Sequence, residues 1–284
     1  LKKDKPLEEM VKEHNATNVI RMLTRLLFVW FIKQKGLIPE ELFDVEKLEN
    51  NILTELNPVR QDGLFAEMSK ESVYYKAILQ NLFFASLNCP IKPQSGDEDK
   101  RERGFRRKKN YGDDFGNDWL FRYEKYFKDP DGFVELINSK VPFLNGGLFE
   151  CLDDKANKKY IDGFSDNLPK PDRLIVPDYL FFGKDESVDL SEDYGDTSPQ
   201  YKHTSVKGLI NILKTYNFTV EENTPAEVVV ALDPELLGKV FENLLASFNP
   251  ETKTTARKQT GSFYTPREIV NYMVDESLIA YLKS

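Results

Sequence analysis

Histidine and cysteine are scarce in this 284-residue chain: His14 and His203, Cys89 and Cys151, all far apart in sequence. No close-set pairs of these residues occur, so a metal centre with the usual ligand spacing is not expected. Two distant cysteines do not make a disulfide framework either. They point to free thiols in a reducing compartment, and hence to a cytoplasmic protein. Long apolar runs are also lacking. The densest stretch, Leu23 to Ile32, is interrupted by Arg25 and followed by Lys33. It is too short to cross a bilayer, and no membrane partner is expected.

Positive charge is the next shortage. Lys and Arg total 39 against 47 Asp and Glu, a net charge of −8 with an isoelectric point near 5.1. A surface gripping phosphates everywhere is excluded, so any nucleic-acid contact must be local. One block fits: K-R-E-R-G-F-R-R-K-K, Lys100 to Lys109, with seven basic residues against Glu102. Arg101, Arg103, Arg106, Arg107, Lys108 and Lys109 are the candidate contacts to the backbone of double-stranded DNA, because such clusters release counterions and set register. A solvated loop offset by Asp97, Glu98, Asp99, Asp113 and Asp114 is the competing reading.

What is abundant is helical pattern. Hydrophobic residues make up 40% and charged residues 30%, and the mean hydropathy of −0.51 implies sizeable polar loops beside the core. Asn15 to Lys35 is apolar around most of its circumference, so it is expected as a central helix closed by Gly36 and Pro39. Arg21 and Arg25 lie one turn apart on it, suited to nearby acids or helix carbonyls, with a phosphate contact as the alternative. A second amphipathic helix is expected from about Asp44 to Leu56, ended by Pro58. A third runs from Ser72 to Leu87, with Tyr75, Ile78, Leu79, Leu82, Phe83 and Leu87 inward. Short helices are expected at Asp118 to Phe127 and Gly132 to Asn138, then a tight turn at Asn145-Gly146-Gly147.

Residues 153 to 200 are acidic and broken by prolines, and read as solvated loops with an extended piece around Leu174 to Val176. Ser205 to Tyr216 reads as a helix. Phe218 to Val220 and Val228 to Leu232 read as two short strands. The fold class expected is therefore mainly α: an irregular helical domain with long loops and a small two-stranded β element. The divisions expected are 1–150, 151–232 and 233–284.

The last division carries the functional question. Asp233 caps a helix through Leu245, and a loop T-G-S-F-Y-T-P, Thr260 to Pro266, leads into another. Thr265, Pro266 and Glu268 form a capping box. Ile269, Val270, Met273, Val274, Leu278, Ile279 and Leu282 follow at helical spacing, so one face is expected to be buried. Gly261 and Ser262 let backbone approach a ligand, and Phe263 and Tyr264 offer flat apolar surface. The amides of the helix N-terminus suit a carboxylate or phosphate. On local chemistry alone, a plain helix–loop–helix with two aromatic plugs is the favoured reading, because capping boxes are common.

T-G-S-F-Y-T-P-R-E-I-V-N-Y-M-V, Thr260 to Val274, resembles the motif that opens N6-adenine DNA methyltransferases in which it precedes the main cofactor motif. Asp233 to Leu245 resembles the helix before it in type IIG restriction–modification enzymes and related phage-defence methyltransferases. Arg21 to Pro39, Pro142 to Glu150 and Tyr216 to Glu222 are similar to the same group. The resemblance implies that Thr260, Gly261, Ser262, Phe263, Tyr264, Thr265 and Pro266 line the methionine end of S-adenosylmethionine. It also implies double-stranded DNA as substrate and a nuclease region, with its Mg, upstream of Leu1.

The departures are equally specific. The family's Gly-containing loop and its Asn/Asp-Pro-Pro-aromatic loop, which hold cofactor and flipped base, have no counterpart. Asn57-Pro58 and Asn249-Pro250 are followed by Val59 and Glu251, and no Asp-Pro-Pro occurs. No catalytic residue is assigned, and the catalytic α/β sheet is expected to be absent. The chain is expected to be an internal piece of a larger enzyme, inactive alone, joining the nuclease region to the methyltransferase domain. The alternative is a non-catalytic helical scaffold that binds DNA or protein. An independent nuclease is set aside, because no Glu-x-Lys falls in a convincing strand.

Overall fold

The computed structural model describes residues 7–60, 72–94, 97–107, 120–144, 147–149, 153–154, 159–160, 162–164, 174–216 and 267–283. It separates into two compact units, Arg25–Thr215, and Leu1–Thr24 with Tyr216–Ser284. The fold is mainly α, and no sheet among the described residues exceeds two strands. The expected strands at 218–220 and 228–232, the helix from Asp233 and the turn residues Asn145 and Gly146 lie outside the described residues.

The long first helix runs Leu7–Gln34, starting earlier than its apolar pattern. Its C-terminus is the one the sequence implies. Gly36 has φ +72°, its amide bonds the Lys33 carbonyl at 2.8 Å, and the Leu37 amide reaches the Ile32 carbonyl at 3.3 Å. This crossed pair is a Schellman closure, and a left-handed backbone there favours glycine. Leu26, Val29 and Trp30 are buried beneath. Lys33 lies over the Trp30 ring and bonds Glu40 at 2.9 Å.

The second expected helix is shorter. Asp44 caps it by accepting from the Lys47 amide at 3.0 Å, but the wide turn Leu48–Ile52 is its last. Leu53 bridges Phe127, the Thr54 amide bonds the Tyr126 carbonyl and the Lys128 amide bonds the Ile52 carbonyl, both at 2.9 Å. Pairing with a segment distant in sequence ends the helix before Pro58 can.

The central helix, with wide turns Tyr74–Leu79 and Asn81–Leu87, is buried on all sides. Lys76, Asn81 and Phe84 are therefore inside along with the expected face. Burial of polar groups is tolerated when they are bonded. The Asn81 amide nitrogen donates to the Ala77 and Arg122 carbonyls at 2.7 and 2.8 Å, and its oxygen accepts from the Arg122 amide at 2.8 Å.

The helix expected from Gly132 starts two residues earlier, at Pro130. Asp129 accepts from the Gly132 amide at 3.0 Å, and the helix spans Pro130–Lys140 with Pro130 in its first turn. The helix expected over Asp118 to Phe127 is one tight turn, Glu124–Tyr126. Among the described residues, three antiparallel strand pairs occur: β1 Ile91–Gln94 with β2 Asp97–Arg103, β3 Asp153–Asp154 with β4 Lys159–Tyr160, and β5 Glu186–Val188 with β6 Thr204–Val206. β6 takes the start of the helix expected from Ser205, and the helix proper is Leu209–Leu213.

Segments far apart in sequence meet in the core of the larger unit. The buried Asp178 carboxylate accepts from the Tyr74 amide at 2.8 Å and the Asn57 amide at 3.1 Å, and Ser72 Oγ accepts from the Val176 amide at 2.8 Å. Leu174 to Val176 thus makes single bonds to the core rather than a ladder. Phe181 and Phe182 pack edge-on against Tyr74, at 5.0 and 4.6 Å between centroids.

In the other unit, the helix Arg267–Lys283 forms where the capping box foretells it. Its apolar stripe does not face a core. Ile269, Val270, Met273, Val274, Leu278, Ile279 and Leu282 are all exposed.

Candidate nucleic-acid interface

The basic block is in part a strand. Its first half is β2, paired antiparallel with β1 through Ile91 to Arg103, Lys92 to Glu102 and Pro93 to Arg101. Arg101 and Arg103 are thus paired positions of this strand, opposite Pro93 and Ile91. Acidic residues Asp97, Glu98 and Asp99 hold the turn end of β2.

The root is fixed to the body. Phe105 is buried and packs on Phe121, 6.0 Å between centroids. Its carbonyl accepts from the Asn138 side chain at 3.0 Å. The Arg106 carbonyl accepts from the Phe121 amide at 3.0 Å, next to a parallel bridge between Arg106 and Leu120. The Arg107 guanidinium is then shared between two carboxylates. One nitrogen donates to Asp131 at 2.7 Å and the other to Glu124. These bonds hold the guanidinium charged far above the ordinary range. Lys108 and Lys109 lie outside the described residues.

Arg25 is buried, and its Nε donates to the Leu148 carbonyl at 2.7 Å. It lies 4.8 Å from the Phe84 centroid, and Arg122 lies over the same ring at 5.1 Å. Asp162 completes this buried group, accepting from the Tyr75 hydroxyl at 3.1 Å. Burial pushes its carboxyl up, while Arg25, the Tyr75 hydroxyl bond and Arg122 hold it down, and burial prevails. Sequence reasoning placed Asp162 and Asp178 among solvated acids. Their neighbours Asp185, Asp189 and Asp196 are indeed exposed, and only the partners contributed by distant elements distinguish the buried pair.

The cofactor residues Thr260, Gly261, Ser262, Phe263, Tyr264, Thr265 and Pro266 lie outside the described residues. Among the described residues, no group of three or more His, Cys, Asp or Glu could hold a metal ion. No described helix is long and apolar enough to cross a membrane.

No protein-family model matches the chain, and no solved structure matches it. One sequence likeness is informative. The chain is 24% identical over 262 residues, 91% of its length, to a Methanocaldococcus jannaschii protein whose name proposes it as a type II restriction enzyme and methyltransferase. The match covers 14% of that larger protein. The chain is thus similar, along nearly all of its length, to one section of a protein named for restriction and modification.

Proposed function

We propose that this chain is the helical section of a restriction–modification enzyme, joining a nuclease region to an adenine-N6 DNA methyltransferase domain. The observation that carries the reading is the likeness over 91% of the chain to the archaeal protein, together with Thr260 to Val274, which resembles the family's opening cofactor motif. In this reading Phe263, Tyr264 and Thr265 contact the methionine part of S-adenosylmethionine. The amides at the start of Arg267–Lys283 meet its carboxylate, as helix N-termini meet anions. The acceptor is a flipped adenine amino group in double-stranded DNA, held by other segments of the whole enzyme. The basic block approaches the phosphate backbone, with Arg101, Arg103, Arg106, Arg107, Lys108 and Lys109 as candidate contacts. An upstream nuclease region would use Mg. The setting is cytoplasmic.

Calorimetry with S-adenosylmethionine tests the assignment on the whole protein that carries this chain. Binding is expected, and replacing Phe263 and Tyr264 together by alanine should weaken it at least about tenfold, since each ring supplies apolar contact. Binding unchanged by the double replacement would remove these residues from the site. No binding at all would favour the non-catalytic scaffold.

A further inference from the structure

The six basic candidates for DNA contact are not equivalent. We propose that Arg107 is a positioning residue, a strap that fixes the root of the basic segment, and that it does not itself take a phosphate. This refines the DNA reading above and rests on it.

Arg107 joins two elements, donating to Glu124 on the turn Glu124–Tyr126 and to Asp131 at the start of Pro130–Lys140. One guanidinium between two carboxylates leaves the trio with net charge −1, which repels a phosphate rather than attracting one. The fork is also specific to arginine. Its planar donors reach two acceptors at fixed angles, whereas a lysine ammonium is a single point charge.

The surroundings point the same way. Phe105 is buried two residues before, the Arg106 carbonyl is bonded to the Phe121 amide, and the Phe105 carbonyl is bonded to Asn138. Arg107 is the last clamp in that series, immediately before Lys108 and Lys109. On the other side of the fork, Tyr123 has φ +54° and ψ +41°, a left-handed conformation that a tyrosine rarely adopts. It turns the chain between Arg122, which lies over the Phe84 ring, and Glu124, which accepts from Arg107.

The charge-retaining variant Arg107→Lys, compared with Arg107→Gln and the unaltered chain, separates the two roles. A strap predicts that Arg107→Lys behaves like Arg107→Gln. Both lower the melting temperature by a few degrees. Both weaken binding of a labelled mixed-sequence duplex several-fold well below melting, and neither changes the slope of log affinity against log salt. A phosphate contact predicts that Arg107→Lys binds and melts like the unaltered chain, while Arg107→Gln lowers the salt slope by about one. That pattern would overturn the proposal. If the unaltered chain bound no duplex, the DNA reading would fall. The melts alone would then decide the strap: equal losses for Lys and Gln support it, and a Lys variant that melts like the unaltered chain refutes it.

Discussion

The Tyr75 hydroxyl donates to the Asp162 carboxylate at 3.1 Å although 87 positions separate the two in sequence. Phe164, two residues beyond the acid, packs on the Tyr75 ring at 4.6 Å between centroids. A short acidic segment is thereby drawn into the core beside Arg25 and Arg122. The arginines offset part of the cost of burying a carboxylate but not all of it, so its folded pKa lies above the unfolded one.

The sign of the pH effect follows. A carboxyl raised on folding binds its proton more tightly in the native state, so its contribution is full below the unfolded value of about 3.9 and is lost as pH rises through the folded pKa. Stability attributable to Asp162 should therefore fall with increasing pH just above the ordinary aspartate range. Asp162→Asn should remove that falling limb while keeping an acceptor for Tyr75. Urea unfolding of both proteins across acid pH reads it directly, and parallel profiles would show that Asp162 is not responsible.

Tyr74 offers a case where removing a polar atom should help. Its hydroxyl is buried and meets no hydrogen-bond partner among the described residues, and burial, then the nearby Asp178, pushes its pKa up. Tyr74→Phe keeps the ring against Phe181 and Phe182 and discards the unpaired hydroxyl. A gain of about 1 kcal/mol is expected. Chemical denaturation measures it, and a loss of that size would show that the hydroxyl is bonded in solution.

Gly208 and Gly183 bring two chain segments together, with the Gly208 amide 2.8 Å from the Gly183 carbonyl. A β-carbon on Gly208 would lie 2.5 Å from the Gly183 nitrogen and from backbone carbon and oxygen of Phe181. None of these can move as a side-chain tip would. Gly208→Ala should destabilise by about 1–3 kcal/mol through overpacking. Gly36→Ala, with no atom within 4 Å of the new methyl, should lose only about 1–2 kcal/mol from its left-handed backbone. Equal thermal shifts would argue against the close approach at Gly208.

Local signals were readable where local chemistry decides the structure. Gly36 closes the first helix, and the apolar density around Trp30 and along Ser72 to Leu87 marks the core. The capping box at Thr265 to Glu268 announces a helix that the structure contains from Arg267. Structure made by distant partners was not readable. Leu53 leaves its helix to pair with Phe127. The strand in the basic block was hidden because its pairing partner contains Pro93. The exposed stripe from Ile269 to Leu282 shows that helical periodicity specifies a face without naming what covers it. Of the candidate site, the sequence supplied the basic cluster but not the carboxylates that hold Arg107.

The assignment to DNA modification is tested most directly by methyl transfer. The whole protein carrying this chain is incubated with methyl-labelled S-adenosylmethionine and duplex DNA, and the digested nucleosides are separated. Label is expected in N6-methyladenosine of the deoxy series, and the Phe263 and Tyr264 double alanine variant should lose most of it. Label in cytosine would contradict adenine specificity. No label in DNA, with a folded protein that also fails to bind the cofactor, would contradict the assignment itself.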